Sequence, residues 1–203
     1  GGIVVAEAAP HVQPSSSDPA AHVIRLRSRA FTPARGVDVS VAQVGSLRND
    51  THILVQFDQI PTPAEQRALA AQGLTLLNYI PDYAWFATLD GNAPAIASAL
   101  GRVRWAGPIL PEDKIDRVLL SADSSFTRSG RLVLNVSVFD DVSDDQARAV
   151  LGRHAEHLID SAPIFHRYTI ELPQARLEAL AAEDAVRWIA PALERSTMND
   201  GAR

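Results

Sequence analysis

The sequence predicts an α+β fold in which two ferredoxin-like units follow one another along a chain of 203 residues. First, residues 103–110 (VRWAGPIL) return 83 residues later as residues 186–193 (VRWIAPAL), with five of eight positions identical. Second, each copy closes a stretch whose apolar pattern indicates strand, helix, strand, strand, helix and strand, the order of the β-α-β-β-α-β unit. Third, the first helix of each stretch begins with a capping box at nearly the same offset. Together these features indicate an internal duplication.

An N-terminal region precedes the repeat. Residues 1–21 are rich in Ala, Pro and Ser and have no apolar period, so we expect a flexible leader. Residues 22–50 are interpreted as a strand-containing arm. Its first strand is predicted at residues 23–27, and the alternation of Val37 and Val39 with polar residues indicates a second, which continues to Val41. We expect this arm to pair with one of the two units.

The first unit is predicted over residues 51–118. Thr62 and Glu65 have the spacing of a capping box, and Gly73 is a natural helix end. Asn92 is the expected N-cap of the second helix. The strands are predicted at residues 53–57, 74–80, 83–89 and around Val103 and Trp105.

The second unit is predicted over residues 131–192, after a polar linker at residues 119–130. Ser143 and Gln146 form its capping box, and Pro173 is expected to start its second helix. The strands are predicted at residues 131–138, 156–159, 165–172 and 186–189, with a turn at residues 161–163.

Each unit should have one uncovered sheet face. Right-handed crossovers place both helices of such a unit on one side of its antiparallel sheet, so the other side is expected to be open. A large apolar patch on a soluble chain normally has a partner. We expect Trp105 and Trp188 in the core or between the units, and Arg104 and Arg187 on the opposite face.

Composition excludes several classes of function. The formal net charge is −5, Lys114 is the only lysine and no basic block exists, which argues against nucleic-acid binding. No apolar run approaches the roughly 20 residues that span a bilayer, so no membrane contact is predicted. The chain has no cysteine, and disulfides, thiolate metal sites and a cysteine nucleophile are therefore excluded.

No set of residues indicates catalysis. His154 and His157 stand three apart around Glu156, but a metal site would need a further ligand, so a solvated helix end is favoured. His166 is expected on a strand. Neither a phosphate-binding glycine loop nor a Gly-x-Ser-x-Gly elbow is present. The chain is therefore predicted to be non-catalytic, with no metal and no cofactor.

Five segments carry a resemblance to a known family. They are residues 53–57 (ILVQF), the hairpin at 76–85, residues 103–108 (VRWAGP), 112–115 (EDKI) and 199–203 (NDGAR). Together they resemble the long N-terminal propeptides of bacterial secreted subtilisin-like serine proteases, over most of residues 23–203. The duplication departs from the family pattern, because the usual propeptide has one ferredoxin-like unit.

The resemblance implies an intramolecular chaperone and inhibitor, located outside the cytoplasm, either secreted or in the cell envelope. Its partner would be the cognate subtilisin-like catalytic domain, joined to it in the precursor. The open sheet face would pack on that domain, and the C-terminal tail would thread its active-site cleft like a substrate. Because the second unit directly precedes the tail in the sequence, it is the unit expected to pack on the catalytic domain. The tail consists of Leu193, Glu194, Arg195, Ser196, Thr197, Met198, Asn199, Asp200, Gly201, Ala202 and Arg203.

Two other classes of function stay open. Tandem ferredoxin-like units also occur as small-molecule sensors with the ligand at the unit interface, although residues 58–61 after the first strand offer few ligand-binding groups. The chain could also be a stand-alone protein-binding module. A thermal-shift panel of amino acids would separate the sensor from the propeptide, since a bound ligand stabilises the fold.

Overall fold

The computed structural model describes residues 22–44, 51–121, 127–128 and 130–192. The α+β class and the antiparallel ferredoxin-like sheets are confirmed in these ranges. The predicted leader (1–21) and the predicted tail (193–203) lie outside the described residues. Within the described part, no helix is long and apolar enough to cross a membrane.

The arm pairs with the first unit. Strands β1 (Ile24–Arg25) and β2 (Ala30–Phe31) form an antiparallel hairpin, and β3 (Gly36–Val37) runs parallel to a strand of the first sheet. The predicted strand beyond β3 is wrong, because Val39–Val44 is a helix, α1. The carboxylate of Asp38 accepts a hydrogen bond from the backbone N–H of Ser40 at 2.9 Å, a local cap that favours a helical turn over an extended chain.

The first unit has the predicted element order. Its elements are β4 (Thr51–Gln56), α2 (Pro63–Ala70), β5 (Leu74–Ile80), β6 (Ala84–Leu89), α3 (Ala93–Leu100) and β7 (Trp105–Pro108). The sheet order is β3-β7-β4-β6-β5, with β3 added to the four-stranded pattern. The Thr62–Glu65 capping box and the Asn92 cap are both present. Gly73 follows α2 with φ +86°, a conformation that favours glycine.

The segment between the units packs against the second one. It contains a 3₁₀ turn (Pro111–Lys114), helix α4 (Arg117–Leu120) and strand β8 (Thr127–Arg128), which pairs with the next strand. Ile115 forms a bridge with Ile189, and Leu119 is buried in the core of the second unit. The segment at residues 119–130 interpreted as a polar linker therefore begins inside a helix that contributes to that core.

The second unit repeats the strand order of the first. Its elements are β9 (Arg131–Val138), α5 (Asp144–Gly152), β10 (His157–Ala162), β11 (Arg167–Pro173), α6 (Leu177–Ala181) and β12 (Val186–Pro191). The sheet order is β10-β11-β9-β12, with β8 also paired to β9, so the first strand of each unit lies between two other strands of that unit. The Ser143–Gln146 capping box is present.

Two local predictions in the second unit are wrong, and a third is off by one residue. Pro173 ends β11 and is the N-cap of a 3₁₀ turn (Gln174–Arg176) that leads into α6, since its φ of −61° suits both an extended strand and a helix start. The turn is centred two residues later than predicted, in the 3₁₀ segment Pro163–Phe165. His166 has a left-handed conformation (φ 49°) at the end of that turn and is not part of a strand.

The buried side chains form three clusters. One lies between the first sheet and its helices, and a second lies between the second sheet and its helices. The third cluster is on the opposite face of the first sheet, where the β1–β2 hairpin packs on it. The two units therefore differ in the number of covered sheet faces.

Candidate partner-binding surface

The outer face of the first sheet is not open. Ile24 of the arm is buried against Leu54, Ile80 and Ala84 of this face, and Phe31 packs edge to face on Trp105 at 5.7 Å. The expectation of an uncovered face is therefore wrong for the first unit. The arm fills the position in which a partner was expected.

The Trp105 side chain depends on the glycine that follows it. Its indole lies so close over Gly107 that a Cβ atom there would overlap the ring. In the second copy of the motif, alanine (Ala190) stands in place of this glycine. Trp188 accordingly has different surroundings and lies under the guanidinium of Arg27, 5.0 Å from the ring centre.

Among the described residues, the outer face of the second sheet is covered only in part, because Arg27 of the arm lies over Trp188 and leaves a cleft beside it. On β9 the inward residues Leu134 and Val136 are fully buried, whereas the outward residues Asn135 and Ser137 are half-buried and Val133 is exposed. Asn135 and Ser137 line a cleft toward the first unit. The rest of this face continues to β10, the edge strand of the sheet.

Four large apolar side chains are exposed on β10 and the turn that follows, and we refer to them as the apolar hairpin. Ile164 is 88 % exposed and Phe165 is 70 % exposed. An exposed edge strand with apolar residues is a template for association with another chain. The four residues are Leu158, Ile159, Ile164 and Phe165.

The equivalent hairpin of the first unit is covered. Its edge strand β5 packs Leu77 against the core of the second unit and buries Ile80 beneath the arm. At the turn, Arg25 of the arm lies 3.4 Å (Nε to Oδ2) from Asp82, and Tyr83 lies beside His22 with ring centres 6.2 Å apart. The first hairpin is thus largely covered, with Tyr79 of β5 51 % exposed, whereas the described part of the chain leaves the second hairpin bare.

His52 joins the two units. It lies on β4 of the first unit, and its ring stacks on Phe139 of the second at 4.0 Å. Its Nδ1 is 2.5 Å from Asp184 Oδ2 and its Nε2 is 2.9 Å from Asp141 Oδ1. The hydroxyl of Thr88 donates to the other oxygen of Asp141 at 2.5 Å. An imidazolium donates from both nitrogens, so this arrangement favours the protonated ring.

Two buried cations at this interface have shifted pKa values. Burial alone would lower the pKa of His52, but the hydrogen bonds and charges of Asp141 and Asp184 outweigh it and raise the pKa to about 9. Burial lowers the pKa of Lys114 to about 8, against the opposing charges of nearby carboxylates. Lys114 is 4 % exposed, and its Nζ donates to the backbone oxygen of Glu183 at 2.7 Å.

The residues proposed from sequence are distributed as follows. The tail, residues 193–203, lies outside the described residues. The described chain leaves the second sheet at Ala192, whose N–H donates to the oxygen of Val133.

The two histidines considered as metal ligands lie apart in their contacts. His154 pairs with Glu183 at 2.6 Å, whereas His157 begins β10 and is exposed. The sequence pattern placed Phe165 in a strand and so missed the apolar hairpin, whose signal is an Ile-Phe pair after Pro163.

The expectation that arginine and tryptophan of the repeat lie on opposite faces is wrong in the second unit. The pairing of β12 with β9 shifts register between Val186 and Trp188. A bulge of this kind places an extra residue on the strand. As a result Arg187 lines the same cleft as Trp188.

A comparison with protein-family models matches part of the chain. A family model described as a domain of unknown function (DUF8729) matches residues 25–110. That span begins in the arm and ends two residues after β7, so it covers the part of the chain that the structure shows packed together as the first unit. No curated protein and no solved structure matches the chain.

Proposed function

We propose that this chain is the inhibitory, chaperone-like propeptide of a bacterial subtilisin-like serine protease that is secreted or held in the cell envelope. The sequence resemblance supports the family. The observation that carries the proposal is the contrast between the two hairpins, because among the described residues the second hairpin exposes four large apolar side chains and the first exposes one, Tyr79. The chain itself is non-catalytic, and its partner is the catalytic domain of the same precursor.

The apolar hairpin is the expected contact with the catalytic domain. Burying a side chain such as that of Ile164 or Phe165 contributes roughly 1.5–3 kcal/mol each. The neighbouring backbone of edge strand β10 offers further hydrogen bonds. A surface that binds the folded protease and not its unfolded chain stabilises the folded protease by mass action. This contact would supply the chaperone activity and part of the affinity for inhibition.

The C-terminal tail is the proposed inhibitory segment. An extended peptide forms strand-like hydrogen bonds along a cleft and gains specificity from alternate side chains. Covalent connection to the protease raises the effective concentration of the tail to about millimolar. Residues 193–203 begin two positions after the end of β12 (Val186–Pro191), and β12 lies at the edge of the sheet opposite β10. The tail would therefore have to extend from that edge to reach the active-site cleft.

The first unit acts as a brace in this proposal. Its outer face is occupied by the arm, and it contacts the second unit through His52 and its two carboxylate partners. In this proposal the first unit contributes no segment to the active-site cleft. Its expected contribution is to hold the second unit in one orientation.

The experiment measures inhibition of the mature cognate catalytic domain by the separate chain, with a chromogenic peptide as substrate. We expect the double variant Ile164→Ser/Phe165→Ser to inhibit at least about 30-fold more weakly, the effect of losing about 2 kcal/mol of contact. Ile60→Ser is the matched control, because Ile60 is also exposed but lies in a loop of the first unit. Deletion of residues 193–203 should weaken inhibition as well.

The outcomes separate the parts of the proposal. Full inhibition by the double variant would show that the hairpin is not the contact. Full inhibition by the truncated chain would remove the role of the tail. Absence of inhibition by the unaltered chain would refute the propeptide function itself.

A further inference from the structure

A cleft of about 570 Å³ lies where the arm, the edge of the first sheet and the outer face of the second sheet meet. This volume is within the range of sites that bind small molecules. Its walls come from three separate parts of the chain: Leu26 in the arm, Tyr79 and Phe86 in the first unit, and Trp188 in the second. The apolar hairpin is not part of it, so the proposed docking does not use this cleft.

The cleft concentrates positive charge on a chain whose formal net charge is −5. Among the described residues, Arg27 and Arg167 form no ion pair, and Arg27 stacks on Trp188. The other two arginines contact carboxylates that lie outside the lining, as Arg25 approaches Asp82 and Arg187 approaches Asp140. The four lining arginines are Arg25, Arg27, Arg167 and Arg187.

The one carboxylate that lines the cleft is already neutralised. Asp113 is bound by Arg29 through both oxygens, at 2.7 and 2.8 Å, and also accepts from the hydroxyl of Ser28 at 2.9 Å. Its side chain is 1 % exposed. It therefore offers no countercharge to Arg27 or Arg167, and a concave wall with one sign of charge attracts counter-ions.

We propose that this cleft binds a small organic anion through a carboxylate or phosphate group. Guanidinium groups bind both kinds of oxyanion through two parallel hydrogen bonds. Arg27 and Arg167 have donors available for such bonds. The half-buried amide of Asn135 and hydroxyl of Ser137 are polar groups on the same wall. The indole of Trp188 and the ring of Phe86 give an apolar surface for the rest of the ligand.

The test is isothermal titration of the isolated chain with citrate and, separately, with pyrophosphate at low ionic strength. We expect one of the two to bind with a dissociation constant below about 1 mM and the double variant Arg27→Gln/Arg167→Gln to bind at least about tenfold more weakly. The matched control is Arg67→Gln, an exposed arginine on α2, on the helix side of the first sheet. Circular dichroism confirms that each variant is folded.

The result that overturns the proposal is equal loss of binding in the control and the double variant, or no binding of either anion to the unaltered chain. Protease inhibition by the double variant identifies the source of the oxyanion. Inhibition that is unchanged while anion binding is lost indicates a free ligand. Inhibition that falls together with anion binding indicates an acidic side chain of the catalytic domain. Because the titration needs no protease, it gives an answer even if the propeptide function fails.

Discussion

The two units have the same strand order and the same capping boxes, but they differ in what covers them. The first unit has two buried clusters, because the arm packs on the outer face of its sheet and forms the second one. Arg25 of the arm also forms an ion pair at its hairpin turn. The second unit has one core, and its hairpin exposes Ile164 and Phe165. Since their internal folds agree, the difference lies in added or missing contacts. Among the described residues, one unit thus has both sheet faces covered and the other has an exposed hairpin.

The largest expected effect comes from breaking the contact between the units at His52. His52→Ala leaves Asp141 and Asp184 without their shared partner and removes the stacking on Phe139. Because both carboxylates are partly exposed, we expect a loss of about 2–4 kcal/mol in the free energy of unfolding. Urea denaturation measures it. The control His157→Ala should stay within about 0.5 kcal/mol, because His157 is exposed. Equal values would show that the bridge contributes nothing.

The same bridge predicts a dependence of stability on pH. The folded-state pKa of His52 is raised from 6.5 to about 9, so its contribution is complete below pH 6.5 and is lost as pH rises through 9. The full loss is roughly 3 kcal/mol, at about 1.4 kcal/mol per pKa unit. The difference in unfolding free energy between the unaltered chain and His52→Gln should therefore shrink between pH 6.5 and 9. A constant difference would contradict the assigned protonation.

Lys114 acts in the opposite direction in a higher range. Its folded-state pKa is lowered from 10.5 to about 8, so stability rises with pH between 8 and 10.5 from this group. The decline due to His52 should thus be visible alone only between pH 6.5 and 8, and the two effects oppose each other above that. Lys114→Met should remove the rise and leave the decline. Retention of the rise in this variant would assign it to another group.

An intermediate effect is expected from the two copies of the tryptophan motif. Gly107→Ala forces a Cβ atom into the indole of Trp105 and should cost about 1–3 kcal/mol. The reciprocal change Ala190→Gly creates no overlap and should cost about 0.5–1 kcal/mol, from the added freedom of the unfolded chain. The midpoints of urea denaturation compare the two. If both cost the same, the close packing of Trp105 is not specific to the first unit.

The smallest effect on stability is expected at the bare hairpin. Ile164→Ser should change the unfolding free energy by no more than about 0.5 kcal/mol, because the side chain is 88 % exposed. Ile80→Ser, in the covered edge strand of the first unit, should cost about 2–4 kcal/mol. Thermal unfolding distinguishes them. Similar losses would mean that the two hairpins are buried to a similar extent and would remove the basis of the comparison.

The sequence predicted the strands and caps because their causes are local. Leu74–Ile80 and Arg131–Val138 agree with prediction at both ends, since apolar alternation and flanking turn residues define them. The strand expected at Val39 and Val41 failed because Asp38 caps a helix, an alternative that the same alternation does not exclude. Local sequence patterns therefore predict the order of helices and strands, but they do not decide positions where one pattern fits both a helix and a strand.

The surfaces were harder to predict because they depend on residues far apart in the chain. His52 meets Asp184 across 132 positions, and no spacing rule connects them. To predict that the outer face of the first sheet is covered, one would have to know that Ile24 packs on Leu54. The exposure of the apolar hairpin could not be predicted either, because it depends on which described residues pack on the first hairpin and not on the second. The tail proposed as the inhibitory segment, residues 193–203, stays a prediction.

The burial of Lys114 has a practical consequence. It carries the chain's single side-chain amine, which amine-reactive reagents cannot reach while the interface is intact. Modification at this position therefore requires the surrounding contacts to separate. Peptide mass spectrometry after brief exposure to an acylating reagent would then measure the fraction of molecules in which these contacts have opened, without an engineered label.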